Sequence, residues 1–365
     1  MNLKKSFLRG GYALILAALA PFVSLMATSC DNIIEEETFE QPAQTSSLSV
    51  SIVPQTKATG TSHGVQTDDN TVHTLEIFVF KNDGADAGVL DTYKKFSGGE
   101  LPSLANIQVQ TTTGSKIIYA VANSHKENWT GINTLAQFKG VLSSLQQENL
   151  KSFTMVGSTT SVLQAATSVN IDISRLVARI HLAGIKTAFA GTPYEGCTLK
   201  NVKAYLINAM GDIHYADGSS SAKPLILNAN KLVTENVAAC AMSGMLYDEL
   251  PQEVGESGYS TSHYFYCYEN MLQSESYDNK FTKLVIQADL NGTTYYYPIN
   301  INREGFGYNS SNGHAGIKRN TSYSVEVTIT RPGSLEPGSI LEFGTATAKV
   351  NVLNWETIPV AYVGF

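Results

Sequence analysis

Apolar and polar residues alternate in short stretches along the chain, and turn-forming residues separate these stretches. Between residues 47 and 53, the apolar residues Leu48, Val50 and Ile52 alternate with three serines at positions 47, 49 and 51. A period of two places the apolar side chains on one face of a β-strand, which indicates a strand with one buried face. Pro54 lacks a backbone N–H and ends the predicted strand.

The same reasoning predicts strands through most of the remaining chain. The pair Asn291-Gly292 is a strong signal for a hairpin turn between two β-type segments. In a later segment, Ser324, Glu326 and Thr328 share one face, which we expect to be exposed to solvent. The predicted strands after the first cover residues 75–80, 116–122, 171–183, 202–207, 213–215, 284–290, 293–301, 323–329 and 346–353.

One helix interrupts this β-type pattern. Thr134 is followed three residues later by Gln137, which is the spacing of a capping box at a helix N-terminus. The apolar residues that follow recur at helical spacing and predict a stripe that packs on a sheet; they are Leu135, Phe138, Leu142 and Leu145.

Short strands separated by turn signals, with a single helix, are typical of an all-β protein built from β-sandwiches. The chain has 365 residues, of which 43% are hydrophobic, so it is long enough for two ordinary cores. We therefore predict two tandem β-sandwich domains, an N-terminal domain of residues 47–172 and a C-terminal domain of residues 173–365.

Residues 1–29 have the order of a secretory signal peptide. Lys4, Lys5 and Arg9 precede a short apolar run, and small residues then lead to Cys30. This resembles a lipobox, in which the cysteine is acylated and inserts its acyl chains into a membrane. Ordinary signal cleavage beside an incidental cysteine is the alternative. Residues 30–46 are acidic and poor in large apolar residues, which predicts an extended tether to the outer membrane.

The net charge bears on nucleic-acid binding, and the cysteine spacing bears on metal binding. Subtracting the three basic signal residues from the formal net charge of −7 leaves −10 without a basic cluster, which argues against nucleic acid as a partner. Besides Cys30, the chain contains Cys197, Cys240 and Cys267, whose spacing matches no zinc pattern. We assign these three to strand cores or surfaces, and predict no metal and no other cofactor.

Motifs of the common catalytic classes are absent from the sequence. There is no HExxH, GxSxG, Gly-rich phosphate loop or Cys-x-x-Cys, and the seven histidines are scattered singly. We therefore predict that the protein is not an enzyme; a secreted hydrolase would need a site that no motif indicates. Two groups of tyrosines suit either a sugar-stacking platform or ordinary strand pairing, and we favour strand pairing. They are Tyr264, Tyr266, Tyr268, Tyr295, Tyr296 and Tyr297.

Taken in order, several segments resemble the fimbrillins of Bacteroidales, the type V pilins that build fimbrial stalks. They are TLEIFVF at 74–80, KIIYAVAN at 116–123, FTMVG at 153–157, SRLVARI at 174–180, YFYCYEN at 264–270 and KRNTSYSV at 318–325. The resemblance covers most of the chain after the signal peptide. It implies transthyretin-like β-sandwich domains and assembly by donor-strand exchange.

In such assembly a trypsin-like surface protease cuts after a basic residue, and the first strand leaves its sandwich. The resemblance places the cut between Lys57 and Ala58, in a polar loop that follows the strand carrying Leu48, Val50 and Ile52. Cleavage there would remove strand 47–54 together with the lipid on Cys30. An incidental exposed lysine is the alternative interpretation of Lys57.

A C-terminal strand of another subunit then fills the vacated groove. The corresponding tail here is about residues 346–365, and its predicted groove-filling residues are Val350, Val352, Trp355, Ile358 and Val360. The alternative is that this tail is the last strand of its own sandwich, and Pro359 favours an edge or a bend.

The resemblance thus implies a structural pilin that supports adhesion, located in the outer membrane by its lipid and then in the extracellular fimbrium. Its expected partners are other copies of itself, other pilus subunits and the processing protease. An anchor or tip subunit of the same pilus is one alternative. A glycan-binding surface lipoprotein is another.

Overall fold

The computed structural model describes residues 44–54, 71–98, 103–219, 245–271, 281–303, 314–339 and 345–354. The predicted signal peptide, the tether up to residue 43 and Cys30 lie outside these ranges. So do Lys57, Ala58 and the tail beyond residue 354. The predictions that concern these segments therefore remain predictions.

The described chain is almost entirely β-structure, as predicted. The first half contains one short α-helix, α1 (Leu135–Lys139), and a 3-10 turn at Leu145–Gln147, among eight strands. The strands are β1 (Thr45–Pro54), β2 (Thr74–Lys81), β3 (Leu90–Ser97), β4 (Ile107–Thr112), β5 (Gly114–Ala122), β6 (Leu142–Ser144), β7 (Met155–Leu163) and β8 (Ala166–Arg175).

The second half contributes nine further strands and no α-helix within the described ranges. They are β9 (Val177–Thr187), β10 (Lys200–Ile207), β11 (Asp212–His214), β12 (Tyr247–Glu249), β13 (His263–Tyr268), β14 (Lys283–Leu290), β15 (Thr293–Asn300), β16 (Thr321–Ile329) and β17 (Ala346–Asn354).

The first sandwich packs two sheets face to face. One has the strand order β3-β2-β5-β7 and the other has the order β8-β1-β4. Alternate residues of both sheets point inward, since successive side chains on a strand face opposite sides. The resulting core contains Leu48, Val50, Leu75, Ile77, Val79, Ile107, Val109, Ile118, Met155, Ile171 and Ile173, all buried.

The two sheets are joined at one corner, where β7 and β8 pair over only two positions, Met155 with Arg175 and Val156 with Ser174. The next residue, Gly157, passes very close to the backbone of β8. A Cβ atom on Gly157 would lie 1.9 Å from the carbonyl oxygen of Asp172. Because no side chain fits at that distance, glycine is the residue that permits the sheets to meet here.

The second sandwich has sheets of order β12-β10-β14-β15 and β13-β9-β16-β17. β14 and β15 form the hairpin predicted from Asn291-Gly292, with Leu290 paired to Thr293. Asn291 has φ of 52° and Gly292 has φ of 81°. Two consecutive positive φ values are the signature of a type I′ turn, which matches the twist of the flanking strands.

The two sandwiches share an apolar core. One residue, Leu176, separates β8 from β9, and it is fully buried. The described residues form one compact unit, and the core of the second sandwich continues onto the outer face of β2 and β5. The domain limits near residue 172 remain a prediction, although the change from β8 to β9 falls close to it.

Two local expectations were wrong. The capping box of Thr134 and Gln137 is present, but the helix ends at Lys139 with Gly140 as its C-cap. Leu142, expected on the helical stripe, instead begins β6, which pairs with β11. The face of β16 expected to be exposed is also partly covered: Ser324 is buried because His181 of the neighbouring strand packs beside it.

Candidate functional site

The first strand lies in the interior of its sheet. β1 runs parallel to β8, with Val50 opposite Val169, and antiparallel to β4, with Val50 opposite Ile107. A strand with neighbours on both sides satisfies its backbone N–H and C=O groups along both edges. Removing β1 would therefore leave a slot bordered by two unpaired strand edges.

The side chains of β1 follow the predicted alternation. Leu48 and Val50 are fully buried, and Ile52 is 5% exposed. The intervening serines are only half-buried, and Val53 near the strand end is 43% exposed. Burying each of the three apolar side chains contributes about 1.5–3 kcal/mol, so the slot beneath β1 is apolar and favours a strand with this alternation.

β4 depends on β1 for its backbone hydrogen bonds. Among the described strands, β4 has a β-ladder with β1 alone, from Thr45 opposite Thr112 to Val50 opposite Ile107. On its other side, β4 approaches β3 through side chains, because the hydroxyl of Thr92 donates to the carbonyl oxygen of Gln110 at 3.0 Å.

A charged cluster joins β3 to the end of β4. Asp91 Oδ2 accepts from the hydroxyls of Thr111 at 2.5 Å and Thr112 at 2.8 Å, and from the backbone N–H of Thr112 at 3.0 Å. Lys116 Nζ lies 3.0 Å from the same oxygen and donates to the Thr112 hydroxyl at 2.7 Å. The Asp91 and Lys116 side chains are 7% and 2% exposed. We call these four residues the Asp91 cluster.

The cluster holds Asp91 in its charged form. Burial alone would raise the pKa of Asp91, but hydrogen bonds from Thr111, Thr112 and Lys116 outweigh it and lower the pKa to about 2. A carboxylate with several donors and a nearby cation is stabilised relative to its protonated form.

Acid titration should reveal this stabilisation. The folded-state pKa of Asp91 lies below its unfolded value. Its contribution to the free energy of unfolding is therefore complete above about pH 4 and is lost as the pH falls towards about 2. The difference in Tm between the wild type and Asp91→Asn should therefore be largest at pH 5–7 and shrink below about pH 4. A difference that stays constant across this range would contradict the low pKa.

The C-terminal strand lies in the second sandwich. β17 pairs with β16 from Ala346 opposite Ile329 to Asn354 opposite Thr321. Val350 is 6% exposed and packs in the core of that sandwich, opposite Val325. The backbone of Val352 pairs with Tyr323. Of the predicted donor residues, Val350 thus has a place in its own core, whereas Trp355, Ile358 and Val360 lie outside the described residues.

An aromatic cluster connects α1 to both sandwiches. The Phe138 ring lies 4.8 Å from Phe78, 4.7 Å from Tyr119 and 5.7 Å from Trp129, measured between ring centroids. The Trp129 ring then meets Tyr215 of the second half edge-on at 5.2 Å. Ring pairs at these separations contribute beyond simple burial.

A buried polar group lies beside this aromatic cluster. Glu148 accepts from the hydroxyl of Tyr268 at 2.8 Å and from the backbone N–H of Thr154 at 3.0 Å. The Tyr268 hydroxyl also lies 2.9 Å from the Ser143 hydroxyl. Burial, followed by the Glu148 charge, raises the pKa of Tyr268 well above its usual value. The contact therefore joins the halves through a fully desolvated hydrogen bond.

The tyrosine groups are mainly structural. Tyr266, Tyr268 and Tyr297 are buried in the shared core. Tyr264 is half-buried and stacks on His181 at 4.7 Å. Tyr295 and Tyr296 are half-buried on opposite faces of β15, in a different sheet. Strand pairing accounts for this arrangement better than a continuous sugar-stacking surface does.

Cys267 is fully buried on β13, and the half-buried Cys197 donates to Asn291 Oδ1 at 3.4 Å. Cys240 lies outside the described ranges. Within those ranges, His, Cys, Asp and Glu side chains form no group of three suited to a metal ion. Likewise, no helix of the described chain has the length and apolarity to cross a bilayer.

A known fimbrial protein is similar to this chain in sequence. The major fimbrium subunit FimC of Porphyromonas gingivalis is 26% identical over 299 residues, which are 79% of this chain and 58% of that protein. This chain therefore spans little more than half the length of that relative.

Two solved structures share the fold. A fimbrilin from Porphyromonas gingivalis W83 superposes with a TM-score of 0.58 at 18% identity, covering 86% of this chain and 98% of that one. A candidate cell adhesion protein from Parabacteroides distasonis superposes with a TM-score of 0.61 at 19% identity, covering 87% and 99%.

Family models match both halves of the chain. The model for the FimA4 pilin C-terminal domain matches residues 268–355. The model for the major fimbrial subunit protein (FimA) matches residues 46–228, which are half of the chain and include the Asp91 cluster and β1 except for its first residue. The chain therefore belongs to the FimA family of major fimbrial subunit proteins.

Proposed function

We propose that this protein is a stalk subunit of cell-surface fimbriae and that it polymerises by donor-strand exchange. The observation that carries the proposal is the position of β1, which lies between β8 and β4 with Leu48 and Val50 fully buried. A strand at this position occupies a groove that another strand of the same alternation could fill. The family membership supports a role in the fimbrium and in adhesion.

Release of β1 requires a cut in the chain that follows it. β1 ends at Pro54, three residues before Lys57. A trypsin-like protease cutting after Lys57 would free residues up to 57, which include β1 and the lipidated Cys30 of the proposed membrane anchor. The subunit would then pass from the outer membrane to the extracellular polymer.

The tail beyond β17 is the best source of the incoming strand. Val350 is already buried in its own sandwich, so β17 can hold the tail at its base while later residues reach the next subunit. Ile358, Val360 and Tyr362 have the i, i+2, i+4 spacing of Leu48, Val50 and Ile52. We therefore assign groove filling to the residues after 354, with Trp355 at the exit from β17.

Replacing the processing lysine should stop assembly. In material sheared from intact cells, we expect wild-type subunits to begin at Ala58 and to form a ladder of oligomers. Lys57→Gln should instead retain the lipidated Cys30 terminus and lose the ladder, because a trypsin-like protease requires a basic residue before the cut bond. N-terminal mapping by mass spectrometry and immunoblotting measure the two effects.

Lys139→Gln is the matched control, since Lys139 is exposed on α1 and far in sequence from the cut. It should assemble as the wild type does. Wild-type subunits that keep Cys30 and form no ladder would overturn the stalk assignment and favour an anchor subunit.

A further inference from the structure

Donor-strand exchange, the proposed function on which this inference rests, would leave β4 without its hydrogen-bonded neighbour. Once β1 has left, β4 has lost the strand to which it is hydrogen-bonded from Thr45–Thr112 to Val50–Ile107. An acceptor groove needs both borders, β8 and β4, at the right separation. β8 stays attached to β7 at the corner beside Gly157. The part of the molecule that keeps β4 in place must therefore be independent of β1.

β3 provides such a support. It pairs with β2 from Thr74 opposite Ser97 to Phe80 opposite Leu90, with a register shift that leaves Asp91 between the paired residues Leu90 and Thr92, and β2 pairs with β5. None of these hydrogen bonds involves β1. Asp91 near the start of β3 and Lys116 on β5 are thus fixed whether β1 is present or absent.

The Asp91 cluster connects this support to the end of β4. Three hydrogen bonds reach Asp91 Oδ2 from Thr111 and Thr112, the last two residues of the β4 ladder. Lys116 adds an ion pair at 3.0 Å and a hydrogen bond to Thr112. Charged hydrogen bonds of a desolvated pair are stronger and more directional than those of an exposed pair.

We propose that the Asp91 cluster is a positioning device that holds β4 as one border of the acceptor groove after β1 departs. Asp91, Lys116, Thr111 and Thr112 do not contact the incoming strand through apolar packing; they keep the strand that receives it in register. In the uncut subunit their effect on β4 is largely redundant, because β1 holds β4 as well.

Because β1 and the Asp91 cluster both hold β4 in the uncut subunit, loss of the cluster should affect β4 mainly after β1 has left. A cluster that only stabilises the fold would affect β4 equally before and after cutting. Hydrogen–deuterium exchange of peptides covering residues 107–112 is measured in the intact chain and in the chain cut after residue 57 and freed of β1. For Asp91→Asn in the intact chain we expect β4 to lose no more protection than β2 does, because β1 still holds β4 and only the overall stability falls. In the cut chain we expect the loss at β4 to exceed the loss at β2 by at least about tenfold. The affinity of the cut chain for a peptide of residues 346–365 should fall by a similar factor.

Two variants complete the experiment. Thr111→Val removes one hydrogen bond and keeps the ion pair, so it should fold even where Asp91→Asn does not, and should show a smaller loss with the same dependence on cutting. Asp86→Asn is the control, because Asp86 makes an exposed ion pair with Lys81 at 2.7 Å nearby. It should behave as wild type in both forms.

The outcomes separate the two proposals. Equal losses of β4 protection before and after cutting, with peptide binding by the wild type intact, would overturn the positioning role alone. A wild-type cut chain that binds no peptide would overturn donor-strand exchange, and the positioning role with it.

Discussion

Replacing Leu48 by alanine is expected to lower the free energy of unfolding by about 4 kcal/mol, in the upper part of the range for buried leucines. Leu48 is fully buried, and its strand is flanked on both sides by β8 and β4. Because β1 is hydrogen-bonded to both neighbouring strands, the surrounding side chains cannot move far enough to fill the cavity, which increases the loss of stability. Chemical denaturation of the intact chain, followed by far-UV circular dichroism, measures the loss.

Val53, on the opposite face of β1, provides the control for this substitution. Val53→Ala removes an apolar side chain that is 43% exposed, so its cost should stay within about 0.5 kcal/mol. Equal costs for the two variants would mean that β1 does not fill an apolar groove. Because Leu48→Ala weakens β1 in its groove, the cut subunit should also release β1 and accept the donor peptide faster than the wild type does.

Local patterns predicted the elements whose determinants are local. The alternation around Leu48 located β1 to within two residues at each end, since period-two burial is a property of the strand itself. Asn291-Gly292 predicted the β14–β15 hairpin for a similar reason, because a type I′ turn requires two residues that tolerate positive φ.

Sequence patterns gave the wrong element where pairing with a distant segment determines the structure. Leu142 continued the helical spacing, but residues 142–144 pair with β11, about seventy residues later. Gly140 at the C-cap and this non-local pairing end the helix after a single turn. β3 was missed because it is a polar strand with a mostly exposed face, which lacks the apolar alternation.

The Asp91 cluster gave no signal in the sequence. Its members lie on three strands and meet only after the two sheets have closed on each other. Thr111 and Thr112 look like ordinary strand residues, and Lys116 looks like a surface lysine until the structure shows it buried. Gly157 belongs to a segment that resembles fimbrillins, but the reason for glycine became apparent only from its distance to Asp172.

In the proposed polymer, a pulling force would pass from the groove beneath β1 to the C-terminal tail of the same subunit, and the shared core is the part of the described chain that connects them. The groove is in the first sandwich and β17 is in the second. Phe138 and Trp129 link the sheet carrying β2 to Tyr215, while Glu148 bonds to Tyr268. Because the core is continuous, we expect the two sandwiches to unfold together rather than one after the other.

Replacing Phe138 by alanine is therefore expected to destabilise both sandwiches, by about 4 kcal/mol. Phe138 is the buried residue of α1, and its ring contacts Phe78, Tyr119 and Trp129. The cavity would loosen Trp129 and, through it, the ring of Tyr215. Hydrogen–deuterium exchange should thus show lower protection in β2 and also around residues 212–215. Lys139→Ala, at the exposed neighbouring position, should change neither. Lower protection confined to the first sandwich would mean that the aromatic cluster does not couple the two halves.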